Sequence, residues 1–182
     1  MKAIVFSKNG GPEVLKLQSM PDPELKEGHI LIKTAASGVN FADILARKGL
    51  YPDADPLPLV VGYEVAGEIT GLGEKVDPNR FKIGDRVLAL TRFKGYSELV
   101  LVPDSQVFPV PENLSLEQAA AIPVNYLTAW QLAEMGGLKK DDTVLIHNAG
   151  GGVGLAALDI ARKRGARVFG TASESKHERL LD

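Results

Sequence analysis

The run Ala149-Gly150-Gly151-Gly152-Val153-Gly154 constrains this chain more than any other segment. It follows an apolar stretch, Thr143 to His147, that reads as a buried strand. It precedes Val153 to Arg164, whose apolar spacing reads as a helix. Small residues at Ala149, Gly151 and Gly154 suit a tight turn, a close backbone approach and close helix–strand packing, in that order. A helix start of this kind, here Gly152 and Val153, offers unpaired N–H groups and positive partial charge to phosphate. The pattern reads as a dinucleotide cradle. A glycine-rich turn with no ligand would satisfy the same letters. A second strand, Arg167 to Thr171, is expected parallel to the first, and another helix begins at Glu174.

The end of that second strand bears on which dinucleotide would fit. A site for NADH usually places Asp or Glu there, on the ribose hydroxyls. Here the place falls on Ala172 or Ser173, followed by Ser175, Lys176 and Arg179. Hydroxyls and cations suit a 2′-phosphate, so the reading favours NADPH. The alternative is a hydrophilic helix start, and Glu174 weighs on that side.

Upstream of Pro123 the texture differs. Ala3–Phe6, His29–Lys33, Glu64–Ile69, Arg86–Leu90 and Ser97–Val102 read as strands cut by Gly and Pro turns, which suggests a small barrel or sandwich. One helix, Asn40 to Lys48, interrupts them, with Gly49 placed to end it. Ser115 is positioned to cap a short helix, and Asn125 to Met135 reads as a longer one closed by Gly136-Gly137. The expected domains are 1–124 and 125–182.

Composition excludes several classes. With no cysteine, neither a disulfide framework nor a thiolate metal site is available. A net charge of -2 without a basic run gives nucleic acid no electrostatic footprint. No apolar stretch reaches the roughly 20 residues of a membrane span, and the apolar run at the start is too short for a signal peptide. A soluble, cytoplasmic protein is expected.

Several long motifs, in order, carry a resemblance that covers the whole chain. They are Gly38-Val39-Asn40-Phe41-Ala42-Asp43 with Arg47, Gly49 and Tyr51; Val61-Gly62-Tyr63-Glu64-Val65-Ala66-Gly67; and Lys82-Ile83-Gly84-Asp85-Arg86-Val87. Ala119-Ala120-Ala121 with Asn125 to Ala129, His147 to Gly154, and Phe169 to Ser173 with Ser175 to Glu178 complete the set. The chain resembles the medium-chain dehydrogenase/reductase superfamily, and within it the zinc-independent quinone oxidoreductases, closest to the vesicle amine transport protein-like branch.

The resemblance implies an α/β plus β fold: a GroES-like barrel domain followed by the start of a Rossmann dinucleotide-binding domain, truncated here. It implies hydride transfer from NADPH to a quinone or α,β-unsaturated carbonyl, an NADPH:quinone or enone oxidoreductase. It also implies a homodimer at full length and an inactive isolated fragment. The alternative is a non-catalytic NADPH-binding, sensor or vesicle-associated protein that retains the fold. Zinc relatives place Cys and His in the stretches that here hold Asn40 and Tyr63, and His29, His147 and His177 are scattered, so no metal is expected. Candidate donors to the acceptor are Asn40, Tyr51 and Tyr63; Tyr51 could instead simply cover the loop after Gly49. Asp43 either orients neighbours or pairs with Arg47. Asn125 and Thr128 are expected at the nicotinamide side, though an ordinary capped helix explains Asn125 as well. Ala149, Gly151, Gly152, Val153, Gly154, Ser173 and Lys176 are the remaining cofactor candidates.

Overall fold

The computed structural model describes residues 1–181, except for the side chains of Arg179 and Leu181. The chain divides into two compact units, Met1–Pro123 and Val124–Asp182.

The first unit begins with β1 (Lys2–Val5) and β2 (Lys16–Ser19), an antiparallel pair. Next come β3 (His29–Ser37), α1 (Phe41–Arg47), β4 (Glu64–Leu72), β5 (Arg86–Leu90), β6 (Leu99–Pro103) and β7 (Val107–Pro109). Five of these strands form one antiparallel sheet, a curled half-barrel in the order β6-β3-β4-β5-β7. The sequence pattern left β2 and β7 unread. All four residues of β2 are exposed and β7 buries only Val107, so neither carries an apolar alternation.

Alternation of period two explains the core. Ile30 and Ile32 of β3, Val65 and Ile69 of β4, Val87 and Ala89 of β5, and Val100 and Val102 of β6 share one buried cluster with Phe81. On the opposite face, Ala66 and Leu88 pack against Ala119 and Ala120 of α2 (Leu116–Ala120). Ser115 caps α2, its hydroxyl accepting from the Gln118 N–H at 3.2 Å. A third cluster joins Phe6, Val14, Ala46, Leu59, Val61 and Phe93, with Tyr51, Tyr63 and Tyr96 partly buried against it. It seats α1 beside the loop before β4.

The second unit is built on α3, which spans Pro123–Met135, then β8 (Thr143–Ile146), α4 (Gly152–Lys163), β9 (Arg167–Gly170) and α5 (His177–Leu181). Strands β8 and β9 are parallel, with Val144 opposite Val168 and Leu145 opposite Phe169. Helix α3 begins two residues earlier than expected. Pro123 is tolerated in a first turn because its missing N–H would be unpaired there anyway. Asn125 is therefore the third residue of the helix and not its cap.

Helices α1, α3 and α4 end alike. Gly49, Gly137 and Gly165 adopt left-handed φ values of 74°, 63° and 75°. The N–H groups that follow, on Leu50, Leu138 and Ala166, donate back to Leu45, Ala133 and Ala161. This Schellman closure satisfies carbonyls that a helix end leaves orphaned.

Candidate functional site

A polar hub forms where α1 meets the segment before β4. Asn40 precedes α1 in extended conformation, and its N–H donates to Asp43 Oδ2 at 2.8 Å, closing the first turn. Asp43 Oδ1 accepts from the Gly62 N–H at 2.9 Å, and Asp43 Oδ2 also accepts from the Tyr96 hydroxyl at 3.1 Å. The Asn40 side-chain amide donates to Glu64 Oε1 at 2.8 Å. Asp43 is 4% exposed and Glu64 1%, so both carboxylates sit out of water. Burial pushes the Asp43 carboxyl above its ordinary value, against the hydrogen bonds from Asn40, Gly62 and Tyr96 that favour its charge.

Arg47 does not pair with Asp43. Its guanidinium donates to the Gly10 carbonyl at 2.7 Å, and among the described residues no ion pair joins the two. Of the two roles open to Asp43, orienting its neighbours is the one the structure shows. Tyr96 and Glu64 were missed as members of this hub. Tyr96 is 53 residues from Asp43 in sequence, and no local pattern announces the contact.

Three aromatic rings line the same cluster. Tyr51 meets Tyr63 edge-on with centroids 6.0 Å apart, and Tyr63 meets Phe93 at 5.0 Å. The Tyr63 hydroxyl is buried and makes no hydrogen bond. Burial, then the nearby Tyr51 phenol and the charges of Asp43 and Asp53, holds Tyr63 well above the usual phenol range. Its hydroxyl stays protonated through the physiological range. The structure thus brings Asn40, Tyr51 and Tyr63 into one neighbourhood with Asp43, Glu64 and Tyr96.

In the second unit the glycine run joins β8 to α4. Asn148 takes a left-handed φ of 55°, and the Gly151 N–H donates to the Asn148 carbonyl at 2.9 Å. A Cβ on Gly154 would collide with the Asn148 carbonyl and lie 2.8 Å from Ala149 Cα, so this position must stay a glycine. A Cβ on Gly151 would stand 2.7 Å from the Asn148 amide, and one on Gly152 2.5 Å from Asn125 Oδ1. Asn125 therefore faces the loop, and half-buried Thr128 follows it one turn along α3. Helix geometry leaves the N–H groups of Gly152, Val153 and Gly154 without intrahelical acceptors. Lys176 reaches back to the loop, its ammonium donating to the Gly150 carbonyl at 3.2 Å. The Ser173 and Ser175 hydroxyls are 3.3 Å apart. Bare backbone, a helix N-terminus and an ammonium meet at the loop, a donor set whose chemistry suits a phosphorylated dinucleotide. The side chain of Arg179 lies outside the described residues.

Among the described residues, no group of three His, Cys, Asp or Glu side chains could hold a metal. His29 and His177 bond backbone carbonyls, and His147 lies 3.1 Å from Thr171 Oγ1. No helix among the described residues is long and apolar enough to cross a membrane.

Residues 26–112 match the alcohol dehydrogenase GroES-like domain. The whole chain is 44% identical to the human synaptic vesicle membrane protein VAT-1 homolog, covering 47% of it, and 41% identical to mouse quinone oxidoreductase, covering 55%. The chain belongs to the medium-chain dehydrogenase/reductase superfamily. Within that superfamily, its backbone superposes on the Escherichia coli quinone oxidoreductase complexed with NADPH at a TM-score of 0.89. That match has 35% identity and covers all of this chain and 56% of the other. The human VAT-1 homolog-like protein superposes at 0.93 with 38% identity, over all of this chain and 59% of the other. This superfamily member spans about half the length of the relatives it matches. Its first unit carries the GroES-like domain, and its second carries one β-α-β unit of the Rossmann type.

Proposed function

We propose that this protein reduces a quinone or an α,β-unsaturated carbonyl with NADPH, and does so without zinc. The first domain, 1–124, would hold the acceptor, and the dinucleotide domain would begin at 125. The observation that carries the reading is the pair of phenols Tyr51 and Tyr63, packed edge-on, whose hydroxyls can donate to an acceptor oxygen. Burial keeps the Tyr63 phenol protonated, so it retains a proton to donate where an acceptor oxygen reaches it. Similarity to quinone oxidoreductases, one of them solved with NADPH, supports the same chemistry.

Bound NADPH supplies the hydride in this reaction. The loop N–H groups of Gly152, Val153 and Gly154, after Ala149 and Gly151, would hold its pyrophosphate. Ser173 and Lys176 would hold the 2′-phosphate, and Asn125 and Thr128 would bind on the nicotinamide side. Tyr51 and Tyr63 donate to the acceptor oxygen as negative charge builds there, and Asn40 anchors the wall they stand on through Glu64. Conjugated acceptors suit hydrogen-bond donors alone, because charge spreads away from the carbon that receives hydride. The donor set at Asn40 and Tyr63, an amide and a neutral phenol, is poor for a divalent metal.

The test is NADPH oxidation by the full-length protein, followed by absorbance, against quinones and enones. Saturable turnover with at least one conjugated acceptor is expected. The 44% identity to a synaptic vesicle membrane protein favours a second reading, a nucleotide-binding protein without turnover. Saturable NADPH binding with no oxidation on any acceptor would select it.

A further inference from the structure

Asp43 touches two backbone segments of the proposed acceptor wall, the one that begins at Asn40 and the one that carries Tyr63. Its carboxylate takes the Asn40 N–H at 2.8 Å and the Gly62 N–H at 2.9 Å, and Gly62 carries Tyr63. The third donor is the Tyr96 hydroxyl, at 3.1 Å from Asp43 Oδ2. Tyr96 is also tied to the same segment by its backbone. Its N–H donates to the Val61 carbonyl at 2.9 Å, and the Gly95 N–H donates to the Gly62 carbonyl at 3.1 Å. A Cβ on Gly62 would sit 2.7 Å from both Gly95 Cα and the Tyr96 ring, so the two segments are in backbone contact.

We infer that Tyr96 is a positioning residue: its hydroxyl keeps the buried Asp43 carboxylate ionised, and that charge fixes the Asn40 and Gly62–Tyr63 main chains. Three donors and no acceptor face the carboxylate, which is the arrangement that holds an anion and not a neutral acid. Withdrawing one charge-assisted hydrogen bond leaves a buried charge less satisfied. The groups around Asp43 are Tyr96 and Tyr63 from the flanking segments, Glu64 of β4 beyond Asn40, and Arg47 one turn along α1, which bonds Gly10 instead. None is a cation bonded to the carboxylate, so hydrogen bonds carry its stabilisation. The inference rests on the proposed reaction for its catalytic meaning, but its structural content does not.

Tyr96→Phe keeps the ring packed against its apolar cluster and removes only the hydroxyl. Two measurements on the full-length protein decide the matter. The first is amide hydrogen exchange at Asn40 and Gly62, which needs no substrate. Exchange faster by about tenfold in Tyr96→Phe is expected, the effect of one charge-assisted hydrogen bond. The second is the pH profile of kcat/KM with NADPH and a quinone. Loss of the hydroxyl removes an interaction that favours ionised Asp43, so the acidic limb should move to higher pH. The KM for NADPH should stay unchanged, whereas general loosening of the fold would not move the limb. Unchanged exchange at both amides overturns the inference whatever the activity does. Faster exchange in Tyr96→Phe, together with a wild-type protein that oxidises no NADPH, would uphold the positioning role and sink the proposed reaction alone. If Tyr96→Phe does not fold, Asp43→Asn takes its place, with faster exchange at both amides expected and unchanged exchange again overturning it.

Discussion

The Tyr51 and Tyr63 rings meet edge-on at 6.0 Å, and the buried Tyr63 hydroxyl meets no partner in hydrogen-bond geometry. Edge-on packing is favourable for two aromatic rings, so the pair holds its geometry without the hydroxyl. Tyr63→Phe should therefore leave the fold intact and raise stability by about 1 kcal/mol, the cost of a buried unsatisfied group. Turnover with a quinone or enone should fall in the same variant. Urea unfolding and steady-state kinetics on one preparation check both halves. A variant that is less stable and equally active contradicts the role given to Tyr63.

Lys176 is tethered to the Gly150 carbonyl at 3.2 Å, and so is already directed at the glycine loop. Lys176→Glu replaces an ammonium by a carboxylate where a 2′-phosphate is expected. Affinity for NADPH should fall by about tenfold or more while NADH binding changes little. Fluorescence titration with both nucleotides reads the ratio.

Gly154 has no room for a side chain. Its Cβ would meet the Asn148 carbonyl and Ala149 Cα, all main-chain atoms that cannot rotate away. Gly154→Ala should cost about 1–3 kcal/mol by overpacking and should weaken binding of both nucleotides alike. Thermal unfolding and nucleotide titration test this. Equal loss for NADPH and NADH separates it from the selective effect of Lys176→Glu.

Burial raises the Asp43 carboxyl in the folded state above its ordinary value. The folded protein then binds this proton more tightly than the unfolded chain. Stability from this group is fully present below the unfolded pKa and is lost as pH rises through the folded one. Asp43→Asn cannot titrate. The stability of the natural protein relative to Asp43→Asn should therefore decline as pH rises through the carboxylate range and then level off. Denaturant melts from acid to neutral pH measure the difference.

Local pattern made much of this molecule legible. Gly49 and Gly137 end their helices as their placement indicates, because a residue without Cβ enters the left-handed region most cheaply; Gly165 ends α4 in the same way. The strands β3 to β6 announce themselves through an apolar face of period two, and the glycine run between β8 and α4 through its spacing. Strands β2 and β7 did not, since an exposed strand paired by its backbone leaves no apolar signal.

By itself the sequence determined the order of the apolar strands and of the helices between them, the glycine ends of α1 and α3, the superfamily motifs and the absence of cysteine ligands. Each of these depends on residues within a turn or two of one another, or on composition. Only the tertiary structure decided that Asp43 bonds Gly62 and Tyr96 and not Arg47, that Asn40 reaches Glu64, and that the Tyr63 hydroxyl is left without a partner. Those contacts join residues 19, 53 and 24 positions apart, or depend on what a hydroxyl fails to meet. Hydrogen-bond choice at such range is set by the packing of α1 against the third apolar cluster, which no stretch of the chain encodes alone.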